Sequence, residues 1–354
     1  MTPYDHRVAD PMTAPALRWG ILGPGNIAHR FAEEVQRFTR GQIVAVGSRD
    51  GDRAQRFIAE AVNDGDARAY GSYDDLLADD TVEAVYVATP HAQHHDVAIA
   101  ALNAGKPVLV EKAFCLSARQ AQEVFAVADR RRLFAMEAMW SRFLPHYALA
   151  KSMLADGELG AMQAILATHA QSLDLDPAGR MMNPALGGGA LLDLGIYPLS
   201  LFHWLWGVPD EIIASGVLTE SGVDLRESIT CRYGDRMALA YTDMGAAGRN
   251  GVQIIGAAGR LQVADWFYTP QDMTWVQSDG DHVTLATQVD GGFQYQVAEA
   301  ARCIAAGRQQ SEIMSWQATI EVLTMTDSVR QQLGVVYPGE DRAAVSSGAV
   351  TERE

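Results

Sequence analysis

Leu17-Arg-Trp-Gly-Ile-Leu-Gly23-Pro-Gly25-Asn-Ile-Ala28 is the stretch on which the reading of this chain turns. A short apolar run, 17–23, meets two glycines and then a helical pattern through Phe31, Val35 and Phe38. Gly23-x-Gly25-x-x-Ala28, set between a strand and a helix, lies where a dinucleotide fingerprint has to lie. Gly23 permits the tight turn, and Gly25 lets a pyrophosphate approach the backbone. Ala28 is small enough for the helix to pack on the sheet, and the helix N-terminus, at Asn26 and Ile27, faces the anion. Such a loop on its own is also compatible with a glycine turn in another α/β fold.

Working outward, the first half alternates strands and helices. Strand-like runs at 42–48, 82–89 and 106–111 and a further run at 134–137 are separated by helical patterns at 53–62, 92–104 and 120–128. Gly105 stands where a helix C-cap belongs. This order predicts a parallel, doubly wound sheet. After about residue 140 the texture changes. One helix at 145–154 leads to strand-like segments near 161–171, 211–219, 225–233, 237–243 and 251–264, and helices return only at 294–306 and 316–333. Successive strands with little between them predict an α+β unit with a large, mostly antiparallel open sheet. The expected division is a flexible leader over 1–16, a Rossmann dinucleotide-binding domain over 17–140, a substrate-binding and oligomerisation domain over 141–338, and a flexible tail over 339–354.

Composition narrows the class. With 354 residues, 48% of them apolar and 20% charged, the chain has a globular profile with enough apolar mass for two cores. Its net charge of −16 argues against nucleic acid or an anionic membrane as the main partner. The three cysteines, Cys115, Cys231 and Cys303, form no CxxC and fit a reducing cytoplasm. Residues 1–16 lack the apolar centre of a signal peptide. The apolar stretch 191–206 is interrupted by Asp193, Gly195, Pro198 and His203 and is shorter than the ~20 residues of a spanning helix. His91-x-x-His94, with His95 and Asp96, has the spacing of a metal pair, but it opens a helix after Thr89-Pro90 with no cysteine or carboxylate cluster beside it, so no metal is expected.

Cofactor choice is read at the end of the second strand, where an acid bonds a ribose 2′-hydroxyl and an arginine meets a 2′-phosphate. Gly47-Ser48-Arg49-Asp50, with Arg53 one turn on, favours NADP over NAD. Asp50 becomes the ribose acid if the register is displaced by one residue. Lys112 follows a Val-rich strand and should emerge at its carboxyl end, where open α/β sheets bind ligands. Asp193 and Tyr197, four residues apart, stand about 40° apart around a helix and can face one cleft. A phenol of ordinary pKa near ~10 is a poor base, and a nearby Lys112 ammonium should lower that value. Taken singly, Asp193 is equally an ordinary cap, Tyr197 a core aromatic and Lys112 a surface lysine. His203, six residues from Tyr197, should face away from the cleft, and Asp74, Asp75, Asp79 and Asp80 read as a solvated helix and turn. Pro198 must kink its helix or sit in the first turn.

These residues carry a resemblance. Gly23-Pro-Gly25-Asn-Ile-Ala28, Ala88-Thr89-Pro90 with His94, Val108-Leu-Val-Glu111-Lys112, Met136-Glu-Ala-Met-Trp140-Ser-Arg142-Phe-Leu-Pro145 and Pro184-Ala-Leu-Gly-Gly-Gly-Ala-Leu-Leu-Asp193-Leu-Gly-Ile-Tyr197-Pro198 run in order over residues 20 to about 207. The chain thereby resembles the Gfo/Idh/MocA oxidoreductases, in particular their dihydrodiol dehydrogenase and D-xylose dehydrogenase branch. The resemblance implies an NAD(P)-dependent dehydrogenase or reductase acting on a CH–OH group of a sugar or cyclic vicinal diol, NADP preferred. It implies Lys112, Asp193 and Tyr197 as the catalytic set, with Tyr197 as general acid/base. It places Thr89, Pro90, His94 and Glu111 with the cofactor, and Trp140, Arg142 and Arg180 with the substrate. It also implies a homodimer or higher oligomer through the open face of the second sheet. The usual Glu-Lys-Pro is Glu111-Lys112-Ala113 here, so Lys112 is either re-aimed on a trans loop or held by tertiary contacts. A nucleotide-sensing regulator of the same fold is the alternative, against which the intact trio argues.

Overall fold

The computed structural model describes residues 8–63 and 65–340. Six parallel strands make the first sheet: β1 Arg18–Leu22, β2 Gln42–Gly47, β3 Arg68–Tyr70, β4 Ala84–Val87, β5 Val108–Glu111 and β6 Ala135–Ala138, in the spatial order β3-β2-β1-β4-β5-β6. The connecting helices are α1 Asn26–Phe38, α2 Gly51–Ala61, α3 Tyr73–Leu77, α4 His94–Asn103 and α5 Ala118–Arg131. β4, β5 and β6 are buried along their whole length, as strands covered on both faces must be, which is why they read as continuous apolar runs. The strand order reverses between β1 and β4, and that switch point opens a crevice at the carboxyl ends of the strands. Gly23 sits there at φ +92°, and a Cβ on it would lie 2.8 Å from the Ala88 carbonyl oxygen. Only glycine serves both conditions.

The second sheet has eight strands. After α6 Pro145–Ala155 come β7 Met162–Ala170, a π-type turn Leu191–Gly195 and α7 Ile196–Trp206. Then follow β8 Glu211–Leu218, β9 Asp224–Tyr233, β10 Arg236–Asp243, β11 Val252–Gly256, β12 Gly259–Val263, β13 Met273–Gln277 and β14 His282–Leu285. Their order is β14-β13-β12-β11-β7-β10-β9-β8. Every pairing is antiparallel except β7 with β10, so the sheet is mostly antiparallel as expected. α7 and α9 (Trp316–Leu333) cover one face. The other exposes alternate residues, among them Leu166, Ile213, Val217, Met237, Leu239 and Tyr241. The stretch Pro184–Trp206 has the length and hydropathy to cross a membrane, but 83% of its most apolar window is buried inside the fold.

Several expectations are corrected. The segment expected as one strand over 251–264 is a hairpin, because the chain turns at Ala257-Ala258 between the paired Gly256 and Gly259. The leader is held from Asp10 onward: Arg302 on α8 (Phe293–Ala305) donates to the Asp10 carbonyl at 2.8 Å, and Ala14 is buried. Residues 1–7 lie outside the described residues, as does the tail from 341 on. At the start of the expected flexible tail over 339–354, Glu340 is pinned by Arg330 at 2.8 Å. α8 and α9 also pack against the first domain. Phe293 N–H donates to Glu34 at 2.6 Å, Ala118 N–H to Asp327 at 2.9 Å, and the Trp316 indole to the Ala135 carbonyl at 2.9 Å. Asp79 is not solvated: it is buried and accepts from Thr81, Tyr70 and Arg68.

Candidate active site

The crevice at the switch point is a cleft of about 580 Å³. Into it the fold brings Gly23, Gly25, Asn26, Ile27, Ser48, Arg49, Arg53, Thr89, Pro90, His94, Glu111, Lys112, Arg180 and Asp193. Gly25 is the N-cap of α1 and makes no side-chain cap, and a Cβ built on it would meet nothing within 4 Å. The first turn of α1 is therefore open to an anion, a cradle that fits a dinucleotide pyrophosphate. At the end of β2, Asp50 caps α2, accepting from Asp52 N–H at 3.0 Å and Arg53 N–H at 3.3 Å. Its carboxylate is engaged there, and it does not line the cleft, whereas Ser48 and Arg49 do. Arg53 donates to the Pro24 carbonyl at 3.1 and 3.2 Å, tying the glycine loop to α2. This donor set fits a 2′-phosphate better than a bare ribose.

The histidines act as struts. His94 sets its two ring nitrogens 2.8 Å from the carbonyls of Ala113 and Thr89. His91 lies 2.9 Å from the Gly187 carbonyl and 3.1 Å from that of Lys112, bridging the two loops that carry Lys112 and Asp193. Burial pushes His91 down to about 3 and His94 to about 4, so both rings are neutral at pH 7. Among the described residues no group of three or more His, Cys, Asp or Glu side chains could hold a metal.

Lys112 follows β5 directly, and its peptide bond to Ala113 is cis. Its ammonium donates to the Asp193 carbonyl at 2.8 Å and to Asp193 Oδ1 at 3.3 Å, and lies 5.0 Å from the Tyr197 ring centroid. Arg180 donates to the same carboxylate oxygen at 3.2 Å. Burial raises the Asp193 carboxyl, but the Lys112 and Arg180 charges outweigh it and hold the group well below the usual carboxylate range. Asp193 sits in the π-type turn, not on the regular helix the spacing suggested, and Pro198 falls in the first turn of α7. The turn frees carbonyls for side chains: Asp193 O for Lys112 and Leu194 O, at 3.0 Å, for His169.

Tyr197 Oη accepts from the Trp140 indole N–H at 2.9 Å. Its phenol is held well above the ordinary value, first by burial and then by the Glu111 and Asp193 charges. The expected lowering by Lys112 is thus overturned, because that ammonium faces the ring and is committed to Asp193. Glu111, buried beside them, accepts from Tyr86 Oη at 2.5 Å, and burial pushes its carboxyl up to about 7.

Around Tyr197 stands an aromatic wall that sequence reasoning missed. Tyr268 lies 4.5 Å and His169 5.4 Å from its ring, Phe293 lies 4.9 Å from Trp140, and Arg30 on α1 stacks 4.5 Å from Trp140. Gln171 donates to Tyr268 Oη at 2.9 Å. The alternation of His169 and Gln171 at the end of β7 was the available signal. Arg142 is not at the cleft. It is buried, donating to Ser200 Oγ at 2.8 Å and Ser200 O at 3.0 Å and lying 3.1 Å from His203 Nδ1. His203 faces away from the cleft, toward Glu321 at 2.6 Å.

Comparison with known proteins agrees with this geometry. Residues 17–138 match a family described as an oxidoreductase family with an NAD-binding Rossmann fold, and 147–262 match the GFO/IDH/MocA C-terminal domain. A D-xylose 1-dehydrogenase (NADP(+)) of Hypocrea jecorina is 33% identical over 91% of this chain and 93% of its own. A trans-1,2-dihydrobenzene-1,2-diol dehydrogenase of Danio rerio is 33% identical over 91% of this chain and 98% of its own. The solved structure of a 3-ketoreductase from Actinomadura kijaniata, in complex with NADP and TDP-benzene, superposes with a TM-score of 0.78 at 26% identity, covering 90% of this chain and 98% of that one.

Proposed function

On the premise that this chain belongs to the Gfo/Idh/MocA oxidoreductase family, we propose that it is an NADP-preferring dehydrogenase or reductase of a sugar or cyclic vicinal diol. One observation carries the reading: Lys112 and Asp193 line the nucleotide cleft and converge with the buried Tyr197 beside them, the lysine 2.8 Å from the Asp193 carbonyl and 5.0 Å from the tyrosine ring. NADP, held by the first turn of α1 with Ser48 and Arg49 at the 2′-phosphate, supplies the redox chemistry when bound.

The protein's part is proton handling. With its phenol held protonated, Tyr197 delivers a proton to the oxygen of a carbonyl being reduced. The phenolate left by that transfer keeps the Trp140 N–H, and in the oxidative direction it is this phenolate that takes the hydroxyl proton. Asp193 fixes the Lys112 ammonium in place. Trp140, Tyr268 and His169 pack around Tyr197 and fix its ring, and Arg180 closes the cleft at its rim. The names of the two curated relatives support a sugar or a cyclic diol. We place the protein in the cytoplasm, where three buried free cysteines persist as thiols, and as a homodimer joined through the exposed face of the second sheet.

The test is a fluorescence titration of the purified protein with NADPH and separately NADH. Turnover at 340 nm is then followed with NADP⁺ over aldoses and cyclic diols, with the mass in solution measured by light scattering. Tighter binding of NADPH with turnover of at least one substrate is expected. Tight binding with no turnover over a broad panel moves the reading to a nucleotide-sensing protein, and binding of neither nucleotide removes both.

A further inference from the structure

Beneath the turn that carries Asp193 lie two carboxyl groups that the chemistry above does not use. Asp224 is 0% and Glu227 1% exposed. Three residues apart on β9, they would face opposite sides of a regular strand. A bulge prevents this: Val217 pairs with Arg226 and Leu218 with Asp224, so Leu225 is left over and both carboxyls fall on the inner face. Asp224 Oδ2 accepts the Leu191 N–H at 2.5 Å, at the start of the π-type turn, and Glu227 Oε1 accepts the Thr242 hydroxyl. A methyl at Gly189 would overlap Asp224 Oδ1, and one at Gly195 would stand 3.0 Å from Glu227 Oε1. The glycines on either side of Asp193 are thus pressed onto the pair.

Asp224 Oδ1 and Glu227 Oε2 lie buried on one face of β9 and meet no donor among the described residues. Two such carboxyls bond each other only with a proton between them. The charges facing the pair do not substitute for it. Arg330 on α9 is taken by Asp327 and Glu340, and Arg226 by Asp243 on β10, which is itself an acid beside Glu227. Tyr337, after α9, donates its hydroxyl to the Gly188 carbonyl at 2.9 Å. Burial raises both carboxyls above their ordinary values, and the Asp224 charge raises Glu227 further.

We propose that Asp224 and Glu227 share one proton and act together as positioning residues, holding the Leu191 amide and so setting where Asp193 stands against Lys112 and Tyr197. The inference rests on the reading of Asp193 as part of the catalytic set. Two measurements separate its failure from a failure of that reading. The first needs no substrate: urea unfolding of wild type and Glu227→Gln from pH 6 to 8. A glutamic acid protonated only in the fold makes the wild-type folding constant fall by one proton more, tenfold per pH unit, than that of the variant. Parallel pH dependences overturn the shared proton.

The second uses Asp224→Ala, with Glu227→Gln as the conservative control. Asp224→Ala is expected to raise deuterium uptake over residues 187–195 and to lower kcat at least tenfold, with the NADPH Kd within threefold. Glu227→Gln, which keeps the neutral partner's shape, retains at least a third of kcat. Unchanged exchange and kcat in Asp224→Ala overturn the positioning role. If that variant fails to fold, a tenfold loss in Glu227→Gln overturns it and retained kcat upholds it. If wild type turns over no substrate, the functional reading fails, and the unfolding and exchange arms still decide the pair.

Discussion

Replacing Trp140 by phenylalanine removes the hydrogen bond that its indole gives to the Tyr197 oxygen. The indole N–H donates to Tyr197 Oη at 2.9 Å in a buried setting. Phenylalanine keeps an aromatic ring against Phe293, 4.9 Å away, and Tyr268, 6.3 Å away, so packing is largely conserved. A hydrogen bond to a charged acceptor is worth about 1.5–3 kcal/mol and one to a neutral acceptor about 0.5–1.5 kcal/mol. Removing the donor therefore penalises the phenolate over the phenol by about 1–1.5 kcal/mol, or one pKa unit. For Trp140→Phe we expect the oxidative kcat/KM at pH 7 to fall about tenfold, with the ascending limb of its pH profile displaced upward by about one unit. NADPH affinity, read by fluorescence, should stay within twofold. An unmoved limb with a rate within twofold of wild type would refute the reasoning, and a parallel loss of nucleotide binding would reduce Trp140 to packing.

Arg49→Ala should weaken NADPH at least tenfold and NADH less than threefold, in paired fluorescence titrations, because only the 2′-phosphate gains a charged partner there. Equal losses for the two nucleotides would remove Arg49 from that role. Arg142→Met breaks buried bonds to Ser200 and His203 and should cost about 3 kcal/mol in urea unfolding, while the folded variant binds NADPH normally. Burial pushes His91 down to about 3 and His94, His146 and His169 to about 4, so their contribution is complete above pH 6.5 and is lost as pH falls. Glu111 and Glu137, pushed up to about 7 by burial, act oppositely: what they contribute at low pH is lost as pH rises through 7. Above pH 6.5 the histidines no longer titrate in either state and the raised carboxyls remain, so the urea midpoint should fall from pH 6.5 to 8. A midpoint that rises over that range would contradict this.

What was legible in the sequence follows from the range of the interactions concerned. Gly23, Gly25 and Ala28 announce their turn because backbone conformation there is decided within a few residues. Lys112 lines the cleft because the residue after a parallel strand emerges at the strand's carboxyl end. Arg142 was misplaced because its guanidinium is claimed by Ser200 and His203, 58 and 61 residues away. Tyr268 was missed for a related reason. It meets His169 and Gln171 only through the pairing of β11 with β7 and the hairpin that follows. The phenol of Tyr197 was misjudged because spacing shows which charges are near but not how deeply a group is buried, and burial is the larger effect. Asp224 and Glu227 share a face only because a bulge shifts the register, and the alternation of residues along β9 carries no mark of it.

The central claim, that Tyr197 handles the proton in a site built to hold NADP, is tested most directly by Tyr197→Phe. NADPH binding is measured by fluorescence and steady-state turnover at 340 nm with the substrate that wild type uses best. The account predicts a nucleotide Kd within twofold of wild type and a loss of kcat of at least a hundredfold. Turnover within tenfold of wild type, with the nucleotide still bound, would contradict it.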